Sequence, residues 1–333
     1  MNAVYRTLRD CTGVVIMTVR IRVCLLLICS MCIILAGCSS EDDGGPFAPL
    51  ENYGATARMD SISYRPGDPA VYKFNYDSEY KVKNYWMEQG WSNFFGADSV
   101  VFSYQPDKIV AAMSFLDEVG FGMRAKQKAT ATFYLRDGRI VSASIPIGNH
   151  ENVRDSIVYH YDAGRLAHYD VYEKVIRDGS ESSAFFCYTQ NLRWQGDDLI
   201  SMTAVKDLET LYETSFTYGS HTMTALLPYM SFEYILDSNR TYMSVLANMG
   251  YFGVLPQHEL TEILIIKMSD VKQKYQLQID YQYGPSGLPS GYDYHYWKWY
   301  WGQPFFSGQE ANEQWNISES RKIEGFRICW KEK

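Results

Sequence analysis

The ten residues from Tyr292 to Trp301 are the part of the chain best suited to bind a ligand, because seven of them are Tyr or Trp. In a β-strand, alternate side chains lie on opposite faces, so the odd-numbered residues His295–Trp301 share one face and the even-numbered residues Tyr294–Tyr300 the other. Indoles spaced about 6.8 Å apart could stack against sugar rings. The alternative is a core strand buried on both faces inside a barrel. The ligand-binding candidates are Tyr294, Tyr296, Trp297, Trp299 and Trp301.

Other residue types that support catalysis are not spaced for it. The six histidines are scattered, and His258-Glu259 lacks the second histidine of a zinc-protease motif. Ser290 does not have the spacing of a nucleophile elbow. The paired acids Asp117-Glu118 and Asp197-Asp198 suit turns and surfaces. We therefore predict a protein that is not an enzyme, with no catalytic residue, metal or cofactor. A hydrolase with two facing carboxylates is the weakest hypothesis.

The start of the chain predicts a lipid anchor. A 13-residue apolar run, Val23 to Leu35, follows two arginines and is shorter than the roughly 20 residues that span a bilayer. It ends in Leu-Ala-Gly-Cys, which resembles the bacterial lipobox. That resemblance implies that residues 1–37 are a signal peptide and that Cys38 carries the lipid. A start at Met17 would give a more compact basic prefix than one at Met1.

Residues 38–55 are acidic and contain glycine and proline, so we expect a flexible tether. Acidic residues directly after the lipid-bearing cysteine resemble the export signal of Bacteroidota surface lipoproteins. This resemblance implies an outer-membrane location, with the cell surface favoured over the periplasmic face. A linker that merely solvates the anchor is the alternative.

The composition indicates a folded domain that does not bind nucleic acid. Aromatic residues make up 15% of the chain and charged residues 21%, which excludes a disordered chain. The formal net charge of −8 disfavours a polyanionic partner. Beyond the leader and Cys38, only Cys187 and Cys329 remain. Both lie among aromatic residues, so we predict buried free thiols rather than a disulfide.

Six similar stretches, whose large residues lie 24 to 33 positions apart, predict repeated hairpins. Each has a large residue, four turn-forming residues and, in five stretches, an aliphatic residue at position i+5. In a hairpin with a two-residue loop, i and i+5 lie opposite each other. The first stretch has one extra residue before Val82. The large residues are Tyr76, Tyr104, Leu135, Tyr161, Trp194 and Tyr218.

These hairpins predict an all-β fold. Residues 56–333 should form a single domain, an antiparallel meander that curves strongly or closes into a soluble, porin-like barrel. The hairpin repeats would cover residues 71–226, a helix and loop 227–258, and C-terminal strands 259–333. The helix should run near 238–249, capped by Asp237–Asn239 and stopped by Gly250.

The fourth stretch, Tyr159 to Leu166, resembles the YD repeat of Rhs-type proteins, although one residue instead of two separates Asp162 from Gly164. Together with the lipobox, the acidic tether and the segment Asn239–Pro256, it resembles a Bacteroidota lipoprotein family of unknown function with a porin-like β fold. The resemblance implies this fold over roughly residues 70–333 and provides no catalytic residue. Polar residues on both strand faces, such as His160 and Asp170, argue against a transmembrane barrel.

We therefore expect an envelope lipoprotein that is held to the membrane by lipid on Cys38. Its function would be that of a non-catalytic binding or accessory module, with glycans as the favoured ligand. A structural or protein-interaction component of the outer membrane is the alternative. The expected partners are the membrane and a polysaccharide or envelope protein, and no nucleic acid.

Overall fold

A computed structural model describes residues 57–64, 70–89, 97–120, 123–147, 150–177, 180–181, 184–222, 241–268, 272–302 and 314–332. The predicted signal peptide, Cys38 and the tether lie outside these residues, as does the predicted helix cap Asp237–Asn239.

The described residues form 17 strands and one helix. They are β1 (Ala57–Tyr64), β2 (Ala70–Tyr76), β3 (Val82–Gln89), β4 (Ser99–Tyr104), β5 (Lys108–Gly120), β6 (Met123–Arg136), β7 (Arg139–Ile147), β8 (His150–Asp162), β9 (Arg165–Arg177), β10 (Ser180–Glu181), β11 (Phe185–Gln195), β12 (Asp198–Lys206), β13 (Glu209–Thr222), α1 (Thr241–Asn248), β14 (His258–Lys267), β15 (Gln273–Tyr283), β16 (Pro289–Trp301) and β17 (Trp315–Glu332).

The strands form a closed antiparallel barrel, which confirms the predicted fold class. Each strand pairs with its neighbours in chain order, except that β9 pairs with β11 as well as with the two-residue strand β10. The last strand pairs with the first, from Ala57 opposite Glu332 to Ser63 opposite Arg327. This contact closes a ring of 16 strands.

The interior of the barrel is filled by α1 and the segment that follows it. Residues 242–248 are all buried. Phe133 of β6 contacts Tyr242 of α1 with ring centroids 6.2 Å apart, and Tyr159 of β8 contacts Phe252 at 5.0 Å. Strand residues that share a face with Phe133 and Tyr159 therefore point inward and form the hydrophobic core. This core is continuous around the barrel.

The outward face of β8 and β9 is polar, and His160, His168 and Asp170 lie on it, partly exposed. A transmembrane barrel instead carries an apolar band on its outer face. On these two strands the prediction of polar residues on both faces is wrong, because strand alternation puts the polar side chains outside and turns a buried apolar face inward.

No helix in the described ranges is long and apolar enough to cross a membrane.

Five of the six predicted hairpins are present. Four have the expected i/i+5 pairs: Tyr104 with Ile109, Leu135 with Ile140, Tyr161 with Leu166 and Trp194 with Leu199. In the first, Tyr76 pairs with Val82 because the turn is one residue longer. Asp137 and Gly138 both have positive φ, 53° and 78°, as the predicted type I′ turn requires.

The sixth hairpin prediction is wrong. Strand β13 continues through the predicted turn to Thr222, and Tyr218 pairs with Leu260 of β14 instead of Met223. The sequence between these strands contains α1, so the partner of Tyr218 lies beyond the helix. Gly219 and its neighbours form an irregularity in the register rather than a reversal.

The helix prediction near residues 238–249 is confirmed by α1. Gly250, with φ 83°, follows the helix, and its N–H donates to the carbonyl of Ala247 at 2.8 Å. A positive φ at this position is typical of a helix C-terminus and favours glycine. The chain then turns along the rim of the barrel, where the N–H of Val254 donates to the carbonyl of Gly164 at 3.1 Å.

An extra residue recurs in the hairpins and frees a backbone carbonyl. It follows the aliphatic residue and forms a bulge in the ladder with the paired strand, as Val141 does after Ile140. The aromatic anchor of the next hairpin donates a hydrogen bond to the freed carbonyl. These donor–acceptor pairs are Tyr76 with Met59, Tyr104 with Val82, Tyr161 with Ile140, Trp194 with Leu166, Tyr218 with Leu199, Tyr281 with Leu260 and Trp330 with Pro289.

Candidate functional site

The two faces of β16 have different environments. On the inner face, Tyr292 is fully buried and Tyr294 is 4% exposed, and both rings pack against Phe326 at centroid distances of 4.5 and 5.0 Å. Tyr294, predicted from the strand pattern to bind a ligand, is thus part of the core. A surface ligand has no access to it, so it does not belong to the candidate site.

The outer face carries an aromatic strip, which we call the tryptophan strip and define as Trp297, Trp299, Trp301 and Trp315. Trp315 of β17 is the cross-strand partner of Trp301, and their rings meet edge to face at 5.3 Å. Trp301 is 36% exposed, and the other three are partly exposed. Ile317, the partner of Trp299, is 59% exposed and extends the apolar surface.

A lysine divides the tryptophan strip. The Lys274 ammonium on β15 lies 4.1 Å from the ring centroid of Trp299 and 5.4 Å from that of Trp315. Such contacts are cation–π interactions, stabilising by about 0.5–1 kcal/mol at exposed sites. In this arrangement Trp297 and Trp301 offer their rings on either side of a fixed positive charge.

Polar groups line the other end of the strip. The His295 ring stacks on Trp297 with centroids 5.6 Å apart, and its Nε2 lies 3.5 Å from Oδ2 of Asp280. Gln276, the cross-strand partner of Trp297, donates through Nε2 to the carboxylate of Glu262 at 3.0 Å. Amides, carboxylates and an imidazole beside indole faces can hydrogen-bond the hydroxyls of a stacked sugar ring.

Tyr296 lies on the inner face with a cluster of tyrosines and lysines, away from the tryptophan strip. Burial is the main cause that raises its pKa, to about 12. Lys267 and Lys298 both lie over the Tyr275 ring, with Nζ 5.3 and 5.4 Å from its centroid. Burial, followed by the charge of Lys298, lowers the pKa of Lys267. The alternating pattern predicted the side of Tyr296, but no sequence signal predicted that two lysines would meet there.

Several side chains of types that are common in catalytic sites instead make structural contacts at the rim of the barrel. His258 begins β14, and its Nδ1 lies 2.7 Å from Oδ2 of Asp198, whose Oδ1 accepts the backbone N–H groups of residues 257 and 258 at 3.0 Å. Arg165 binds the Asp197 carboxylate at 2.6 Å in the neighbouring turn. These contacts hold the rim of the barrel together, in keeping with the prediction that Asp197-Asp198 is a turn.

The two described cysteines are free thiols. Cys187 is partly buried, and burial raises its pKa. Cys329 is exposed, so the prediction that it is buried is wrong. Its neighbour Ile328 occupies the inward position, 6% exposed, which places Cys329 on the outer face of β17.

The structure brings together three residues that their sequence spacing does not predict to meet, namely His160, His168 and Asp170. A simple two-residue hairpin would place His160 opposite Ala167. The bulge after Leu166 shifts the register, so His168 is the partner of His160. Sequence spacing alone could not locate this bulge.

Comparison with solved structures finds ten chains with a similar fold. The fold resembles that of a porin-like protein from Bacteroides uniformis, with 13% identity and a TM-score of 0.47 over 82% of this chain and 98% of that one. No protein-family model and no curated protein matches the sequence.

Proposed function

We propose that the protein is a lipid-anchored lipoprotein of the outer membrane that acts as a non-catalytic glycan-binding module. The observation that carries the binding function is the outward tryptophan strip, where Trp297 and Trp301 present partly exposed indoles on one strand. The anchor rests on the lipobox ending at Cys38 and on the acidic residues that follow it. The cell-surface face is the favoured location.

The chemistry of the strip supports a sugar ligand more than a purely apolar one. A pyranose ring has an apolar face that can stack on indole and hydroxyl groups at its edge that need hydrogen-bond partners. Gln276, Asp280 and His295 supply such partners next to Trp297. The strip follows a strand in the barrel wall, so its indoles are held on a rigid element and little ordering is required on binding.

Affinity electrophoresis in gels that contain soluble polysaccharides, with a glycan array, tests this proposal. Removing one stacking indole removes about 1 kcal/mol, so Trp301→Ala and Trp297→Ala should each weaken binding roughly fivefold. The matched control is Trp86→Ala. Trp86 lies on β3, is partly exposed, and follows the buried Tyr85, so it also points outward. Binding to no glycan, or equal binding by Trp301→Ala and wild type, would refute the proposal.

The alternative is a structural or protein-interaction component of the envelope. The same aromatic surface, with Ile317 at its edge, could pack against a protein. Cross-linking in intact cells followed by purification distinguishes the two functions. A stoichiometric protein partner together with no carbohydrate affinity would favour the alternative.

A further inference from the structure

A second site lies on the outer face of β8 and β9, away from the tryptophan strip. His160 and His168 are cross-strand partners, and Asp170 follows His168 by two residues on the same face of β9. A register bulge brings these three side chains together, and none of them is needed to fill the core. Their arrangement therefore calls for an explanation other than packing.

The three ligand atoms are close enough to share one ion. The imidazole rings are parallel within 10° with centroids 4.2 Å apart, and Nε2 of His160 lies 3.2 Å from Oδ2 of Asp170. One ligand atom from each residue lies within 4.8 Å of the other two. A tetrahedral ion with bonds of about 2.0–2.1 Å places its ligands roughly 3.3 Å apart. Small side-chain rotations would thus bring all three onto one ion.

A neighbouring strand holds the carboxylate in place. Thr189 of β11 donates through Oγ1 to Oδ1 of Asp170 at 2.5 Å, which leaves Oδ2 directed to the histidines. Metal sites commonly use such an outer hydrogen bond to orient a ligand. Asn191, the partner of His168 on β11, adds a polar group beside the second histidine.

The electrostatics favour a neutral imidazole at His168, the form that binds metal. Burial and the adjacent His160 lower the pKa of His168, and Asp170 opposes them less strongly. The site is also accessible, since the side chain of His160 is 41% exposed and that of Asp170 is 22% exposed. Solvent could complete the coordination.

We propose that His160, His168 and Asp170 bind a divalent transition metal of the zinc and copper class. Two imidazoles and one carboxylate suit these ions, whereas calcium and magnesium prefer oxygen ligands alone. The remaining coordination positions would face solvent. The bound ion would cross-link β8 and β9 on their outer surface and leave a position for water or an external ligand.

Zinc titration of the metal-stripped protein, purified without a histidine tag and in competition with a chromophoric chelator, tests this site. Wild type should bind Zn²⁺ at one equivalent. His160→Ala and His168→Ala should each weaken binding more than about tenfold, since each removes a direct ligand, and Asp170→Asn should do so while keeping the side-chain shape. The matched control is His295→Ala, because His295 is also a histidine beside a carboxylate on the outer face.

Thermal unfolding provides a second readout. A metal that binds only the folded state raises the melting temperature. Zn²⁺ should therefore stabilise wild type and His295→Ala and not His168→Ala. Circular dichroism of each variant without metal checks that the barrel is intact. No binding by wild type, or equal zinc affinity in wild type and His168→Ala, would overturn the proposal.

Discussion

The phenol hydroxyl of Tyr161 donates a hydrogen bond to the backbone carbonyl of Ile140 at 2.6 Å. Val141, the extra residue after Ile140, releases that carbonyl from the regular ladder of backbone hydrogen bonds. The side chain of Tyr161, in the next hairpin, binds it instead. The same relationship occurs at seven rim positions. The exception within the described strands is informative. The anchor Leu135 has no side-chain hydrogen-bond donor. The carbonyl that it would have to bind belongs to Ile109, whose hairpin has no bulge and therefore no freed carbonyl.

We expect Tyr161→Phe to lower the free energy of unfolding by about 1–2 kcal/mol, because the freed carbonyl of Ile140 would lose its hydrogen-bond donor in a partly buried position. Chemical denaturation measures this loss. Tyr134→Phe is the matched control, since Tyr134 is 46% exposed on β6. Equal stability of the two variants would show that the rim hydrogen bond contributes nothing measurable.

Gly253→Ala should destabilise the barrel more than Gly138→Ala. Both glycines have positive φ, 89° and 78°, so each variant loses about 1 kcal/mol to backbone strain. A Cβ at Gly253 would also lie 2.5 Å from the carbonyl oxygen of Gly164, whereas one at Gly138 meets nothing within 4 Å. Thermal unfolding of the two variants compares them directly. Equal losses of stability in the two variants would contradict this prediction, because they would show that the segment after α1 moves to accommodate the added Cβ without loss of stability.

Glu259 should make stability depend on pH. Burial raises the pKa of this carboxyl, although a hydrogen bond from Tyr283 opposes the shift. The folded state therefore holds the proton more tightly than the unfolded state, and this contribution is present at low pH and lost as the pH rises through the raised pKa. The stability of wild type relative to Glu259→Gln should fall as the pH rises above the ordinary carboxyl value of 4.5. Chemical denaturation at each pH measures this difference in the free energy of unfolding. Glu213→Gln, which changes an exposed carboxyl, is the control. A constant difference would contradict the linkage.

Cys38→Ser should abolish lipid attachment and leave the protein in the soluble fraction. The test is metabolic labelling with a radioactive fatty acid, followed by fractionation of cells with and without detergent. Cys329→Ser, which changes an exposed thiol of the barrel, is the control and should still be labelled. Equal labelling of wild type and Cys38→Ser would disprove the anchor.

Most of the barrel could be predicted from sequence because its hairpins are local. An aromatic anchor, a turn and an aliphatic residue within eight positions specify the pairing of Trp194 with Leu199 without long-range information. The hairpin prediction failed at Tyr218, where the partner lies 42 residues further along, at Leu260, beyond α1. Ring closure by β1 and β17 also had no local signal, because those strands come from opposite ends of the chain.

The candidate sites were harder to predict. Strand alternation placed the indoles Trp297, Trp299 and Trp301 on one face, but it could not show that Trp315 would join them or that Tyr294 would be buried. The metal site depends on a bulge of one residue, which changes the partner of His160 from Ala167 to His168. Such shifts follow from packing over the whole barrel.

The pairing of β1 with β17 has a consequence for how the chain matures. The first strand to emerge during synthesis must wait for the last before the cylinder can be sealed. Until then, two open edges persist, each able to recruit a strand from another molecule. A chain cut short before residue 315 would keep those edges permanently, so premature termination should yield aggregates and not a smaller barrel.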